Sequence, residues 1–396
     1  MTKTNQKIPV GWSVDEFGKI AFLSKEKYIP SPNEHMKCLE LEHLEKETGQ
    51  LKGYIDSALQ SSAKNRFKKG DVLYGKLRSY LKKYTLASFD GVCSTEIWVL
   101  RGWQEKLINI YLYLIIQTNK FNTACSVSTG THMPRADWEY VSNIPFMYPP
   151  LPEQEKIAEI LSCWDEGIEK LSALIEKKKL QKKALMQKLL TAKIRLPGFT
   201  DPWNVKKLGE IGTFVSGGTP DTEKPEYWNG DIVWLTPSEI TKLKTRFVSD
   251  SERKITKLGL KNSSAVLLPK NSLIICTRAT VGDCCINTKE VSTNQGFKNL
   301  IPNNNCVDFL YYLISIHKND LIRRACGSTF LEISKHDIEK LKYVFPPLAE
   351  QKAIADILSK ADEEIELLNK KLAAFNLEKK AMMQKLLTGQ IRVKVN

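Results

Sequence analysis

Apolar positions follow two regimes that alternate along the chain. Over residues 354–386 they recur with a strict 4-3-4-3 spacing, at Ile354, Leu358, Ala361, Ile365, Leu368, Leu372, Phe375, Met382 and Leu386, interrupted only by Lys379. That spacing is the a/d stripe of a coiled-coil seam. A second stripe runs through Ile157, Leu161, Trp164, Ile168, Leu171, Ile175, Leu185 and Leu189, with Lys178 and Lys182 where the seam thins. Both start behind a Pro-Pro pair, which cannot continue a helix backwards. Both carry a first-turn carboxylate, Glu153 or Glu350, opposite the positive helix end. Each stripe predicts a helix of about 36 residues, a rod of roughly 55 Å.

The two stripes are copies of one motif. Pro149 to Leu196, from PPLPEQ to MQKLLTAKIRL, returns as Pro346 to Val393, from PPLAEQ to MQKLLTGQIRV, offset by 197 with no gap and identical at 27 of 48 positions. Such self-similarity marks an internal repeat. Heptads alone would indicate no more than a long helix. Two matching seams in one chain predict that the rods zip together in cis, antiparallel, and relate the intervening domains by a pseudo-two-fold axis.

Before each rod lies a segment of about 148 residues, in which the apolar pattern shortens to strand length. Gly11-Trp12 opens the first, ahead of a short amphipathic piece; Pro202-Trp203 opens the second. Apolar runs around Val72 to Tyr74 and Leu273 to Cys276, flanked by Gly, Asn and Asp, predict buried strands. Both lead to a Ser-Thr pair, Ser94-Thr95 or Ser292-Thr293, and then to an amphipathic helix near Tyr113 or Tyr312. Polar turns at Gly130-Thr131 and Gly327-Ser328 return the chain to the Pro-Pro pair. The predicted organisation is α+β: globular domain 1–148, helix 149–196, globular domain 197–345, helix 346–396. The rods repeat closely and the globules diverge, so the rods are expected to do one job and the globules related but different ones.

The four blocks carry net charges of +5, +3, +4 and +2, together the +14 of the chain. Excess positive charge shared among all blocks fits two halves facing one polyanion, although a basic chain can also owe its charge to solubility. The nine Cys show no C-x-x-C and no zinc spacing, which fits reduced thiols. The start lacks an apolar signal core, and the longest strongly apolar stretch, Tyr111 to Ile116, is too short for a bilayer. A cytoplasmic protein without membrane contact is expected.

The PPLPEQ-x-x-I-A and PPLAEQ-x-x-I-A starts, both MQKLLT tracts and the SGGTP at Ser216 to Pro220 resemble the specificity subunit of type I restriction-modification enzymes, over the whole chain. The resemblance implies two globular α/β target recognition domains held apart by an antiparallel helix pair. Each domain would read one half of a split asymmetric site in the major groove of double-stranded DNA. It also implies a bacterial or archaeal complex with two methyltransferase subunits and restriction subunits, which would use S-adenosylmethionine, ATP and Mg. This chain would be a non-catalytic recognition subunit with no cofactor of its own.

Candidate DNA contacts follow from residue chemistry. In the first domain Arg66, Lys68, Lys69, Lys76, Arg78, Lys82 and Lys83 are interleaved with Tyr74, Tyr80 and Tyr84, a basic stretch suited to phosphates, with Arg78 able to fork onto a guanine edge. Arg135 is a further cation. In the second, Arg278 and Thr280 follow the corresponding strand, and Asn294 and Gln295 carry amides that match adenine or cap a turn. Ser216, Gly217, Gly218 and Thr219 either offer backbone N–H groups to a phosphate or form a tight turn. Arg323 and Arg324 are weaker candidates. Gly70 to Lys76 reads G-x-x-x-x-G-K, but Leu77 replaces the magnesium-holding hydroxyl and the middle is strand-like. Tyr148-Pro149-Pro150 lacks the Asn of a methyltransferase motif, and no G-x-G-x-x-G precedes a helix. Asp231 with Glu252-Arg253-Lys254 imitates a metal nuclease only loosely. A protein-binding coiled-coil adaptor is the rival from another class, distinguished by the absence of a steep salt dependence on DNA.

Overall fold

The computed structural model describes residues 8–129, 134–327 and 331–395. The chain divides into two compact units that cut across the sequence blocks: residues up to 172 join those from 370 onward, and residues 173–369 form the other. Each unit therefore combines one globular domain with half of each long helix, Leu151–Leu189 and Leu348–Leu387. At 39 and 40 residues these helices are about 60 Å long.

In the first unit the two helices run antiparallel: Glu153, in the first turn of one, meets Arg392 just past the end of the other, and Asp165 further along pairs with the earlier Lys379, with Trp164 packed edge-on against Phe375 at 5.5 Å. The second unit repeats the antiparallel order, with Lys178 on Glu364 at 2.6 Å and Lys182 on Asp362. The lysines that thin the sequence stripe are thus part of the seam. Lys182 and Lys379, one repeat apart, retain 19% and 15% side-chain exposure and each takes the aspartate of the other copy. Their aliphatic stems cover the seam while their ammonium groups reach a carboxylate. Every apolar seam position is buried or half-buried; Ile157, Leu161, Leu171, Ile175, Leu189, Ile354, Leu358 and Leu386 are buried.

The rod ends belong to the globular cores. Ile157, Leu161 and Leu386 join Phe17, Tyr74, Trp98 and Phe121 in one cluster; Leu189, Ile354 and Leu358 join Phe214, Phe309 and Phe345 in the other. At about 2 kcal/mol for each fully buried aliphatic side chain, these contacts hold each domain rigidly to its helices.

The PPLxEQ motif explains how. Glu153 is buried, accepting from Trp12 Nε1 at 3.2 Å and from Arg392 at 2.7 and 2.8 Å. Glu350 accepts from Trp203 Nε1 at 3.0 Å and, with one bond of 2.8 Å to each carboxylate oxygen, from Arg195. The bidentate contact raises the pKa of each arginine. Gln154 and Gln351 bond the backbone N–H of Ile108 and Cys306 and the carbonyls of Pro149 and Pro346. The Trp, the Glu-Gln pair and the terminal Arg form a latch in each unit.

Each domain contains the same antiparallel four-strand order. In the first it is Ala21–Leu23, Ile97–Gly102, Val72–Gly75, Tyr84–Leu86; in the second, Gly212–Ser216, Lys298–Pro302, Leu273–Ile275, Cys284–Asn287, extended by Phe247–Val248 in parallel. The entry strands Ser13–Glu16 and Asn204–Lys207 pair with Pro145–Tyr148 and Lys342–Phe345, the strands that feed the rods. The short amphipathic piece after Trp12 is the strand Ser13–Glu16 followed by a 3-10 turn, Phe17–Lys19. The second sheets differ: five strands in the first domain, three in the second.

The helical pattern near Tyr113 breaks into Asn109–Ile115 and Asn119–Ser126, because Thr118 caps the second piece. The turns at Gly130-Thr131 and Ser328 lie outside the described residues. Gly70 to Lys76 contains the strand Val72–Gly75, as its apolar run requires.

Candidate nucleic-acid interface

In the first domain the strand Val72–Gly75 exits into a loop fixed by two other segments. Lys76 N–H donates to Glu96 O at 3.0 Å, Ala136 N–H to Lys76 O at 2.9 Å, and Arg78 N–H to Pro134 O at 2.8 Å. Ser79 Oγ anchors the turn on Cys125 O at 2.7 Å. Arg78 and Lys82, which bracket the turn, both adopt left-handed backbone, φ 52° and 46°, uncommon for residues with a Cβ. Such strain persists only where surroundings enforce it, and here it turns Arg78 and Tyr80 outward, Tyr80 being 62% exposed. Tyr74 and Tyr84 are core residues, which corrects the expectation of an aromatic-interleaved surface. Lys76 is half-buried; Lys82 is paired with Glu47 at 2.9 Å, and Arg135 is forked onto Glu96 at 3.0 and 3.1 Å.

The second domain builds the same junction. Thr277 N–H donates to Gly296 O at 2.8 Å and Ile333 N–H to Thr277 O at 3.0 Å, the counterparts of the two bonds of Lys76. Ala279 takes left-handed backbone, φ 64°, where the first domain has Arg78. Arg278 is exposed beside Glu332, 4.0 Å away. The Thr280 hydroxyl is buried, which removes it from the exposed candidates. Asn294 Oδ1 accepts from Gly296 N–H at 2.9 Å, so this amide holds a turn. Gln295 is exposed and meets Thr219 Oγ1 at 2.5 Å, so these two candidates come together at one surface. Ser216 is exposed, but Gly217 and Gly218 are buried. A Cβ on Gly217 would lie 1.9 Å from Asn294 O and one on Gly218 2.3 Å from Ser264 Oγ. Gly218 N–H donates to Thr293 O at 2.9 Å. The SGGTP glycines serve close packing, which favours the tight-turn alternative over the phosphate cradle.

The nuclease-like residues are engaged elsewhere: Glu252 with Lys242 at 3.2 Å, Lys254 with Asp250 at 3.1 Å, and Arg253 over the Trp228 ring at 3.7 Å. Among the described residues no three His, Cys, Asp or Glu cluster as metal ligands, and no helix is long and apolar enough to cross a membrane. Burial pushes the Cys276 and Cys284 thiols up to about 12, far from a reactive thiolate.

Sequence reasoning did not foresee the acidic partners Glu96 and Glu332 or the buried role of the glycines. Only the repeated Glu and Arg at a 197-residue offset signalled the latches. A family model described as "Type I restriction modification DNA specificity domain" matches residues 9–180 and 200–376. The chain belongs to that family. It is 37% identical over 186 residues to the type I restriction enzyme MjaIX specificity subunit of Methanocaldococcus jannaschii, covering 46% of this chain and 42% of that protein. The chain thus spans less than half the length of that relative. With the putative type I restriction enzyme MjaX specificity subunit of the same organism it shares 27% identity over 86% of this chain and 83% of that one. The fold resembles a chain solved in work on the assembly and conformational transition of the type I R-M system, at TM-score 0.66 and 20% identity over 97% of this chain and 100% of that one. It also resembles the HsdS subunit from Thermoanaerobacter tengcongensis, at TM-score 0.54 and 21% identity over 99% and 100%. Each of the two matched stretches takes in one globular domain and runs into the long helix that follows it.

Proposed function

We propose that this chain reads a bipartite asymmetric DNA site for a type I restriction-modification complex, one half-site per globular domain. The observation that carries the reading is the repeated junction: the same three-segment backbone frame holds Arg78 with Tyr80 in one domain and Arg278 with Gln295 in the other. One frame with unlike side chains is what reading two unlike half-sites requires, because base edges are distinguished by side chains and the backbone only positions them. The helices set the spacer between half-sites and dock two methyltransferase subunits, with restriction subunits joining the complex. A DNA turn is about 34 Å, a spacing that a rigid helix pair can hold and a flexible linker cannot. S-adenosylmethionine, ATP and Mg act through the other subunits, in the cytoplasm.

The test is to map methylated adenines generated by the assembled complex, then repeat with one helical turn inserted into both rods. Retained half-sites with an altered gap are expected; changed half-sites would refute the spacer role. Binding that lacks a steep salt dependence on any duplex would favour a protein-only adaptor.

A further inference from the structure

We propose that the second globular domain carries a phosphate-binding groove, separate from its reading junction, in which Arg323, Arg324, Lys340 and Lys342 clamp the DNA backbone beside the half-site. The inference rests on the DNA-reading function above. The four cations line a cavity of about 580 Å3. Arg324, Lys340 and Lys342 are exposed and have no carboxylate partner among the described residues. Arg323 reaches Asp320, at 3.8 Å, a carboxylate that also lines the cavity and is held by His317 at 2.7 Å. Most cations near the reading junctions have acidic partners; here four cations line one hollow with a single carboxylate, Asp320. Their mutual repulsion is relieved by an anion in the groove. Tyr343 lies in its lining, 7% exposed, with its hydroxyl buried and unpartnered and its ring tilted by 33° against His317 at 4.2 Å.

Backbone bridges link the groove's helix to the reading junction. The helix Lys318–Arg324 leads to Cys326, which bridges Glu332, which in turn bridges Arg278. Among the described residues the first domain lacks the feature: Asn143, Pro145 and Phe146 stand 197 residues before Lys340, Lys342 and Tyr343, and the helix Asn119–Ser126 contains no arginine. Nothing in the shared frame demands these cations. Phosphodiesters are recognised by such convergent Lys and Arg side chains, without sequence information.

The experiment compares the full chain with the variant R323A/R324A/K340A/K342A on the methylated-site duplex and on a random duplex, as log K against log salt. A control, K177A/K183A/K188A/K193A, removes equal charge from exposed positions elsewhere. We expect the groove variant to lower the slope by about 0.9 for each phosphate that it no longer neutralises, equally on both duplexes, and the control to leave it unchanged. Circular dichroism verifies folding. An unchanged slope in the folded variant overturns the groove, as does an equal fall in the control. Titration with inorganic phosphate separates the sources: if the variant loses only phosphate binding, the groove holds a free anion and the DNA clamp is wrong. Absence of duplex binding by the unmodified chain would overturn the proposed function, whereas duplex binding with no groove effect removes this inference alone.

Discussion

The two globular domains share a backbone frame and differ in what it presents. Left-handed backbone occurs at the same place in both reading turns, yet the residue there is Arg78 in one and Ala279 in the other. The strand that feeds each rod has the same pairing, but it carries Pro145 and Phe146 in one and Lys342 and Tyr343 in the other. Differences concentrate on exposed positions and the second sheet, whereas the latch and four-strand order repeat. Positions that hold a domain to the rods are constrained by packing; those that face a ligand are free to diverge.

The seam shows a smaller asymmetry of the same kind. Trp164 and Phe375 pack together in the first unit, and their repeat counterparts are Ala361 and Lys178. The second unit uses Lys178 on Glu364 instead.

The latch, as the most repeated feature, should respond most strongly. Glu350→Ala leaves Arg195 and Trp203 Nε1 without their buried acceptor and should cost about 3 kcal/mol in urea denaturation. A cost below about 1 kcal/mol would mean that the latch is not structural.

Next is Trp164→Ala, which should cost about 2 kcal/mol, less than for a fully buried aromatic because the site is half-buried. Ala361→Trp in the other unit should not gain that amount, since the position that matches Phe375 there is Lys178, held by Glu364; equal and opposite changes would show that the two seam halves are interchangeable.

The reading junctions should separate by half-site. Arg78→Ala is expected to weaken specific binding about 10- to 100-fold through one half-site, and Arg278→Ala through the other, with non-specific binding changed much less. Competition with duplexes mutated in one half at a time provides the measurement. Equal loss on specific and random DNA would reduce either arginine to a phosphate contact.

The smallest effect is the acid sensitivity that Asp15 adds to the first domain. Hydrogen bonds from Lys106, at 2.9 Å, and Tyr148, at 2.7 Å, hold the Asp15 carboxyl below its ordinary range. A depressed carboxylate pKa stabilises the fold above the ordinary Asp value, and that stability is lost as pH falls through the folded value. Asp15→Asn should therefore flatten the loss of stability below about pH 4. Thermal melts between pH 3 and 6 would reveal it, and an unchanged profile would assign the acid response elsewhere.

Much of the rod was legible because a coiled-coil seam is written at fixed spacing: every stripe residue from Ile157 to Leu386 is at least half-buried. Candidate contacts were harder to read. Arg78 and Arg278 are exposed as expected, but Tyr74, Tyr84, Gly217 and Gly218 are buried, and Asn294 holds a turn. Residue type states what a side chain can bond, and only its surroundings decide which bond it makes. The acidic partners of Arg135 and Arg278 are 39 and 54 residues away in sequence, with no local pattern to announce them.

The linear order of residues determined the duplication, the two helices, their seam and the family, because each is a periodic or repeated pattern that needs no third dimension to be seen. Tertiary structure alone decided that each compact unit takes half of both helices, that the seam lysines exchange aspartates between copies, and that four cations of one domain surround a single groove. Those outcomes depend on which distant segments meet, and burial and charge pairing are properties of that meeting.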